Sequence, residues 1–144
     1  MGTTTFSGPI KAGTVREGAS ANAGFVKMAQ SAAWIQTAAT AATTGMIIPA
    51  NSQITSITLY ITTAPGAANL SMGTSIAATE LFTALAVGTA ADVIKLGTSG
   101  TITDMDAWTD VGTSDVTLYV ISSGAGTSGR GIITVEYIQN NNLA

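Results

Sequence analysis

The sequence contains no cysteine and no histidine. Without cysteine the chain has no disulfides, no thiolate nucleophile and no thiolate metal ligand. Without histidine it lacks the side chain that proteins use most often as a general base and as a transition-metal ligand. These two absences exclude most catalytic constellations, and we therefore expect no enzymatic activity, no cofactor and no metal centre.

Charge is also scarce. Charged residues make up 9% of the chain, with a net charge of -3, whereas an average globular protein has about 25%. Because charge normally keeps a free soluble protein from associating, a surface this neutral favours a protein that is covered by neighbours. The five basic residues are scattered, which argues against nucleic-acid binding, since that function needs a clustered basic surface.

Long apolar runs are missing as well. The first residues lack the apolar core of a secretory signal, and no run approaches the roughly 20 residues that span a bilayer. Gly2 alone is a weak myristoylation signal. We expect a protein that is made in a cytoplasm and does not bind a membrane.

The chain of 144 residues is long enough for one domain with its own core. Residues 1–24 combine glycine, threonine and serine with single apolar side chains, so we expect an extended N-terminal arm. Such an arm either frays or becomes ordered across a neighbouring subunit. Residues 25–144 are predicted to form the single folded domain.

Strand patterns dominate this domain. In the segment 54–62, Ile57, Leu59 and Ile61 share one face, which predicts a half-buried strand. Segments 115–121 and 131–138 are predicted to form a hairpin around the loop 122–130. The only segment with helical character is 78–85.

The last predicted strand is apolar on both faces. Ile133 and Val135 point to one side, while Ile132 and Ile138 point to the other. A strand of this kind is buried inside a sandwich or against a neighbour. The many short strands between glycine, proline and asparagine turns predict an all-β fold, a β-sandwich or jelly roll with the extended arm and at most one short helix.

One cluster of carboxylates remains as candidate chemistry. Asp104, Asp106 and Asp110 surround Trp108. These oxygens could hold a cation, but the EF-hand pattern is absent; a sugar-binding or glycosidase cleft would need two facing carboxylates at a defined separation. We interpret the acids as solvated loop residues and the aromatic residues as core and interface packing.

The loop 124–130 superficially resembles a phosphate-binding loop. We reject that interpretation because a strand and not a helix follows the loop, and because the lysine with serine or threonine at its end is missing.

Four segments carry a resemblance to a known class of proteins: Phe6–Thr14, Gly24–Gln30, Ile47–Ile54 and Gly131–Tyr137. They resemble small structural proteins of tailed bacteriophages, notably phages of cyanobacteria and other aquatic bacteria. That class includes capsid decoration, or cement, proteins with β-sandwich or jelly-roll bodies.

The resemblance implies a virion protein on the capsid surface that binds across subunits of the major capsid protein and stabilises the shell. It implies a homotrimer, and it places the partner-binding residues in the arm: Phe6, Pro9, Ile10, Lys11, Val15 and Arg16. Two alternatives stay open. One is a head-fibre, tail or adaptor component that binds host surface glycan through the loop 104–110; the other is a glycan-active enzyme that uses the same carboxylates.

Overall fold

A computed structural model of the chain describes residues 27–37, 40–65, 68–87, 91–97, 105–124 and 126–139. These residues form eight strands and one short helix. In chain order they are β1 (Lys27–Ile35), β2 (Ala42–Ile48), β3 (Ser52–Thr63), β4 (Ala68–Gly73), β5 (Phe82–Val87), β6 (Asp92–Leu96), α1 (Met105–Thr109), β7 (Val116–Ser122) and β8 (Arg130–Gln139). The predicted arm, residues 1–24, lies outside the described residues.

The strands form two antiparallel sheets of four strands each. The first sheet has the order β1-β8-β3-β6 and the second β2-β7-β4-β5. Consecutive strands therefore alternate between the sheets, except that β4 and β5 are neighbours in the second. Eight strands in this double Greek-key order are a jelly roll. The predicted all-β sandwich or jelly roll with one short helix is confirmed.

The core fills the space between the inner faces of the two sheets. Ile57, Leu59 and Ile61 of β3 are all buried, as their alternation predicts, while Tyr60 between them is exposed. Further large side chains of the same core come from both sheets and the helix: Trp34, Met46, Ile48, Leu70, Met72, Trp108, Leu118 and Val135. One continuous apolar layer thus joins the sheets and stabilises the sandwich.

The predicted hairpin between segments 115–121 and 131–138 is wrong. Both strands exist, but β7 pairs with β2 and β4, whereas β8 pairs with β1 and β3. Their predicted inward residues, among them Leu118 and Ile133, are buried. The alternation of apolar residues determines which face of each strand is buried. It does not determine whether two strands are neighbours in one sheet or lie in opposite sheets of the sandwich.

The predicted helix over 78–85 is also wrong. Phe82–Val87 is strand β5, which pairs with β4 and buries both Phe82 and Val87. Ala84 has a positive φ of 50°, and its backbone N–H donates to the Ser71 hydroxyl at 2.9 Å. Pairing and burial therefore override the helical propensity of this alanine- and leucine-rich segment. The helix α1 lies instead at Met105–Thr109.

Candidate interaction surface

The outer face of the first sheet carries exposed apolar side chains on all four strands. The strand register places Ala33 of β1 beside Ile132 of β8. Ile132 lies beside Tyr60 of β3, whose other neighbour is Val93 of β6. Ile132, Tyr60 and Val93 are 45%, 43% and 57% exposed, and Ala33 is exposed too. We call these four residues the apolar row.

The pleat of the strands explains why these side chains lie outside. Successive residues of a strand point to opposite faces. Leu59 and Ile61 are buried in the core, so Tyr60 between them must face outward. Ile133 is buried as well, so its neighbour Ile132 also faces outward. Single apolar side chains on a surface are ordinary, but a contiguous set across a sheet is typical of a contact surface.

Polar side chains border the apolar row on one side, and a mixed apolar and charged pair borders it on the other. On one side Ile35, itself 53% exposed, pairs with Arg130, whose guanidinium donates to the Thr127 carbonyl at 2.7 Å. On the other side the hydroxyls of Ser31 and Thr134 are 2.8 Å apart. The apolar row is therefore about one residue wide over most of its length.

An ion pair lies further along the same face. The Lys27 ammonium is 2.5 Å from the Glu136 carboxylate, which also accepts a hydrogen bond from the Ser56 hydroxyl at 2.7 Å. Hydrogen bonding from Lys27, followed by that from Ser56, outweighs the effect of burial and lowers the pKa of Glu136. The carboxylate is thus ionised at neutral pH and balances the lysine, so this end of the face gains no net charge from the pair.

A second surface feature lies against the other sheet. A groove of about 550 Å³ runs between the loop after β4 and the start of β7. Its lining residues are Thr74, Ser75, Ile76, Ala77, Asp115, Val116, Thr117 and Tyr119. Ile76 is 67% exposed, so the loop presents an apolar side chain beside the groove.

The Glu80 carboxylate holds this loop closed. It accepts hydrogen bonds from the Thr74 backbone N–H at 2.8 Å and from the Thr74 hydroxyl. Burial by itself raises the pKa of Glu80, but the hydrogen bonds from Thr74 and from the Glu80 backbone outweigh it and lower the pKa. The ionised form therefore stabilises the loop conformation.

Of the predicted carboxylate cluster, only Asp110 has a described side chain. Asp110 and Asp115 accept the backbone N–H of Gly112 and Ala50 at 2.8 and 2.9 Å, so each closes a loop. Trp108 is 3% exposed and donates its indole N–H to the Leu81 carbonyl at 2.7 Å. This tryptophan is therefore core and not a sugar-stacking surface. Asp104 and the side chain of Asp106 lie outside the described part of the chain.

No three or more of the described acidic side chains come together as metal ligands. No helix in the described ranges is long and apolar enough to cross a bilayer.

The predicted partner-binding residues, Phe6, Pro9, Ile10, Lys11, Val15 and Arg16, also lie outside the described residues, so their role stays a prediction. The apolar row was not identified from the sequence as a site, although the two-sided character of β8 pointed to Ile132. Combining Ile132 with Tyr60 and Val93 requires the strand order, because these residues are far apart in the chain.

Comparisons with known proteins find similarity in structure only. No family model matches the sequence, and no curated protein matches it significantly. A chain of the cyanophage Pam1 capsid asymmetric unit matches with a TM-score of 0.56 and 19% identity, over 94% of this chain and 100% of that chain. A chain in the acidic stable capsid structure of Helicobacter pylori bacteriophage KHP30 matches with a TM-score of 0.54 and 14% identity, over 78% of this chain and 87% of that chain. The predicted likeness to chains of phage capsids is confirmed at the level of the fold.

Proposed function

We propose that this chain is a structural protein of a phage particle that decorates the capsid and stabilises it by binding across subunits of the major capsid protein. The observation that carries the proposal is the jelly roll itself, which matches a chain of the cyanophage Pam1 capsid asymmetric unit along that chain's whole length. The two chains are thus similar in size. A capsid can therefore include a chain that consists of little more than this fold.

Surface chemistry supports the same role. The chain has few charged residues, and the apolar row crosses one entire sheet. Both features suit a protein that works with its faces covered. A structural and non-enzymatic role also agrees with the lack of histidine and cysteine in the sequence.

The mechanism we propose is multivalent bridging. Each copy would contact several capsid subunits, so that separating the subunits requires breaking several modest contacts together. Repetition over the symmetric shell multiplies these contacts, and binding shifts the shell toward its intact state by mass action. The protein would be made in the host cytoplasm, associate as a homotrimer and occupy the outer capsid surface of the virion.

The arm supplies the contacts in this proposal. Phe6, Ile10 and Val15 are single apolar anchors, and Lys11 and Arg16 add positive charge next to two of them. Pro9 has no backbone N–H, so this position needs no hydrogen-bond partner for its nitrogen. Ordering such a segment against a partner buries its anchors without requiring a preformed surface.

The test uses purified protein and capsids that lack it. Light scattering gives the mass of the free protein, and pelleting of the mixed particles gives the bound fraction. We expect a trimer that co-pellets in a fixed ratio to capsid subunits. A protein that remains in the supernatant would contradict the decoration role and favour a tail or fibre position.

A deletion of residues 2–18 tests the arm in the same assay. We expect the folded domain to persist, as judged by circular dichroism, and co-pelleting to be lost. A variant with Thr3, Thr4 and Thr5 replaced by serine is the matched control and should bind normally. Undiminished binding by the deletion variant would remove the arm from the mechanism.

A further inference from the structure

Charge in the described part of the chain is divided between the two sides of the sandwich. The described basic residues Lys27, Lys95 and Arg130 are far apart in the sequence, yet all three lie on the outer face of the first sheet. The described acidic side chain on this face is Glu136, which is paired with Lys27. Asp92 does not count, since the pleat of β6 turns it to the other side and its carboxylate accepts the N–H of the next residue at 2.7 Å. Three positive charges and one negative charge leave the face with a net charge of +2.

The apolar row lies between the two cations that have no acidic partner in the described residues. On β8, Arg130 precedes Ile132 by two residues, and on β6, Lys95 follows Val93 by two residues. Because β3 lies between β8 and β6, Tyr60 of β3 is midway between the two cations. With about 3.4 Å per residue and about 4.8 Å per strand, their Cα atoms are roughly 17 Å apart.

The outer face of the second sheet has, within the described ranges, carboxylates and no basic side chain. Asp115 lines the groove. The Glu80 carboxylate lies over Gly73, where a Cβ would be 2.6 Å from its Oε2, and burial of Met72 makes this the outer side of β4. Gly73 pairs with Tyr119, four residues after Asp115, so the two backbone positions are roughly 14 Å apart. The two carboxylates thus lie toward opposite ends of the groove.

Exposed apolar side chains mark the same two surfaces. The large ones among the described residues are Ile35, Tyr60, Val93 and Ile132 on the first sheet, and Ile47 and Ile76 on the side of the second. Ile47 pairs with Thr117, which lines the groove between the two carboxylates, and Ile76 lines it from the loop. The groove therefore has apolar side chains at its margins and negative charge at its ends.

From this complementarity we propose that the apolar row of one copy of this chain packs into the groove of a second copy. Tyr60 lies over Thr117, and Lys95 and Arg130 approach the two carboxylates. The two cations are farther apart than the two carboxylates by roughly 3 Å, a difference that the long side chains of lysine and arginine accommodate. The inference rests on the self-association included in the proposed function, and it adds the surfaces that join the copies.

The same charges disfavour a symmetric contact. Two copies joined through their first sheets would bring Lys95 and Arg130 of each copy together, and two copies joined through their grooves would do the same with carboxylates. Because the row and the groove lie on opposite sides of the sandwich, each copy binds one neighbour through its row and another through its groove. Head-to-tail contacts of this kind close into a ring when the rotation between copies permits and otherwise extend the assembly.

The first sheet is large enough for such a contact. Four strands about 4.8 Å apart form a face roughly 19 Å wide, and the 10 residues of β8 extend over roughly 34 Å. The flat outline of this face is roughly 650 Å², and protruding side chains add accessible area to it. A stable interface needs about 800 Å² from each partner.

Two variants, each blocking one surface, test the proposal. The row variant carries Lys95→Glu with Arg130→Glu, and the groove variant carries Thr117→Trp, which fills the groove without adding charge. Sedimentation velocity at neutral pH and low salt measures association over a range of concentrations, and circular dichroism checks the fold. We expect the wild type to associate and each variant alone to need at least a tenfold higher concentration.

Conservative replacements at the same positions are the matched controls. Lys95→Arg with Arg130→Lys keeps both charges, and Thr117→Ser keeps the groove open, so both controls should associate as the wild type does. A monomeric wild type, or either blocking variant associating as strongly as the wild type, would overturn the proposal. In particular, a symmetric contact between first sheets would leave the groove variant unaffected.

Mixing the two blocking variants tests the head-to-tail geometry. The row variant retains an intact groove, and the groove variant retains an intact row. We therefore expect a 1:1 complex that stops at two copies, because the remaining row and groove are both blocked. A mixture that stays monomeric at concentrations where the wild type associates would overturn the proposal.

These measurements are independent of capsid binding. The expected pattern of association without co-pelleting would support the row and the groove as the contact between copies and contradict only the decoration role. Co-pelleting of a wild type that is monomeric in solution would overturn the contact between copies and leave decoration standing.

Discussion

At the scale of single residues, Gln30 links the two sheets. Its side-chain amide donates to the Ile47 carbonyl at 2.6 Å and accepts the Ile47 N–H at 3.2 Å, so it pairs with the backbone of β2 as a neighbouring strand would. The same amide nitrogen donates to the Tyr137 hydroxyl at 3.0 Å. One side chain on β1 thus closes the side of the sandwich where β1 and β2 are edge strands.

Replacing Gln30→Ala should therefore weaken the whole fold. We expect the free energy of unfolding to fall by about 1–3 kcal/mol, because three hydrogen bonds are lost and the buried Tyr137 hydroxyl loses a donor. Urea titration at neutral pH measures the change. Gln53→Ala is the control: Gln53 is an exposed glutamine on β3, and its replacement should cost less than about 0.5 kcal/mol. Equal effects would show that Gln30 does not join the sheets.

Gln30 shows what the sequence cannot predict at the scale of single residues. The sequence predicts which side chains of β3 are buried, since their period is two. It does not reveal that Gln30 pairs with Ile47, or that Gly131 must lack a side chain because a Cβ there would lie 2.4 Å from the Tyr60 carbonyl oxygen. Both facts depend on which strands become neighbours.

At the scale of elements, the loop between β4 and β5 depends on one ionised carboxylate. The hydrogen bonds that Glu80 accepts from Thr74 lower its pKa in the folded state. A group whose folded pKa is lower than its unfolded pKa stabilises the fold above the unfolded value, here near 4.5, and loses that contribution as the pH falls through the folded value. The loop should therefore weaken in acid.

The variant Glu80→Gln isolates this effect, because its amide oxygen still accepts hydrogen bonds but carries no charge. We expect the wild type to be more stable than the variant at pH 7 by about 1 kcal/mol or less. The difference should shrink as the pH falls below about 4.5. Urea midpoints from pH 7 to pH 3 measure it, and parallel curves would contradict the role of the Glu80 charge. Glu136 titrates in the same way in both proteins, so its contribution cancels.

The two wrong element predictions have a common physical cause. The segment 78–85 has helix-forming residues, yet β4 offers its neighbour Phe82 a strand partner and a place in the core. Because β7 and β8 are consecutive strands, the sequence pattern predicts one hairpin, whereas the two strands lie in different sheets of the sandwich. In both cases tertiary packing decided the outcome, and local propensity could not show it.

At the scale of the whole molecule, the order of the strands brings the residues of the apolar row together. Ala33, Tyr60, Val93 and Ile132 come from four strands that are not consecutive, and only the jelly-roll order of the first sheet makes them neighbours. The sequence could therefore predict the fold class and an apolar outward residue on β8, but not the row. The arm, in which the resemblance places the partner-binding residues, is a separate prediction.

The same strand order makes the link between β7 and β8 a crossing between sheets. Stacked sheets lie about 10 Å apart, and the link must span that gap as well as turn. Its end is fixed by Gly129, which exchanges backbone and side-chain hydrogen bonds with the buried Gln36 at 2.9 and 3.2 Å. A hairpin connection would need only a short turn and no such anchor.

Deleting residues 124–128 distinguishes these two arrangements. In the jelly roll the shortened link cannot both cross the gap and turn, so we expect a loss of about 4 kcal/mol or more, or failure to fold. In a hairpin the same deletion would leave the pairing of the two strands intact or favour it, since connections of two to five residues are the commonest. The control replaces residues 124–128 with five glycine and serine residues, which keeps the length and should change the free energy of unfolding by about 1 kcal/mol or less. A deletion variant as stable as this control, measured by urea titration, would mean that β7 and β8 are joined within one sheet.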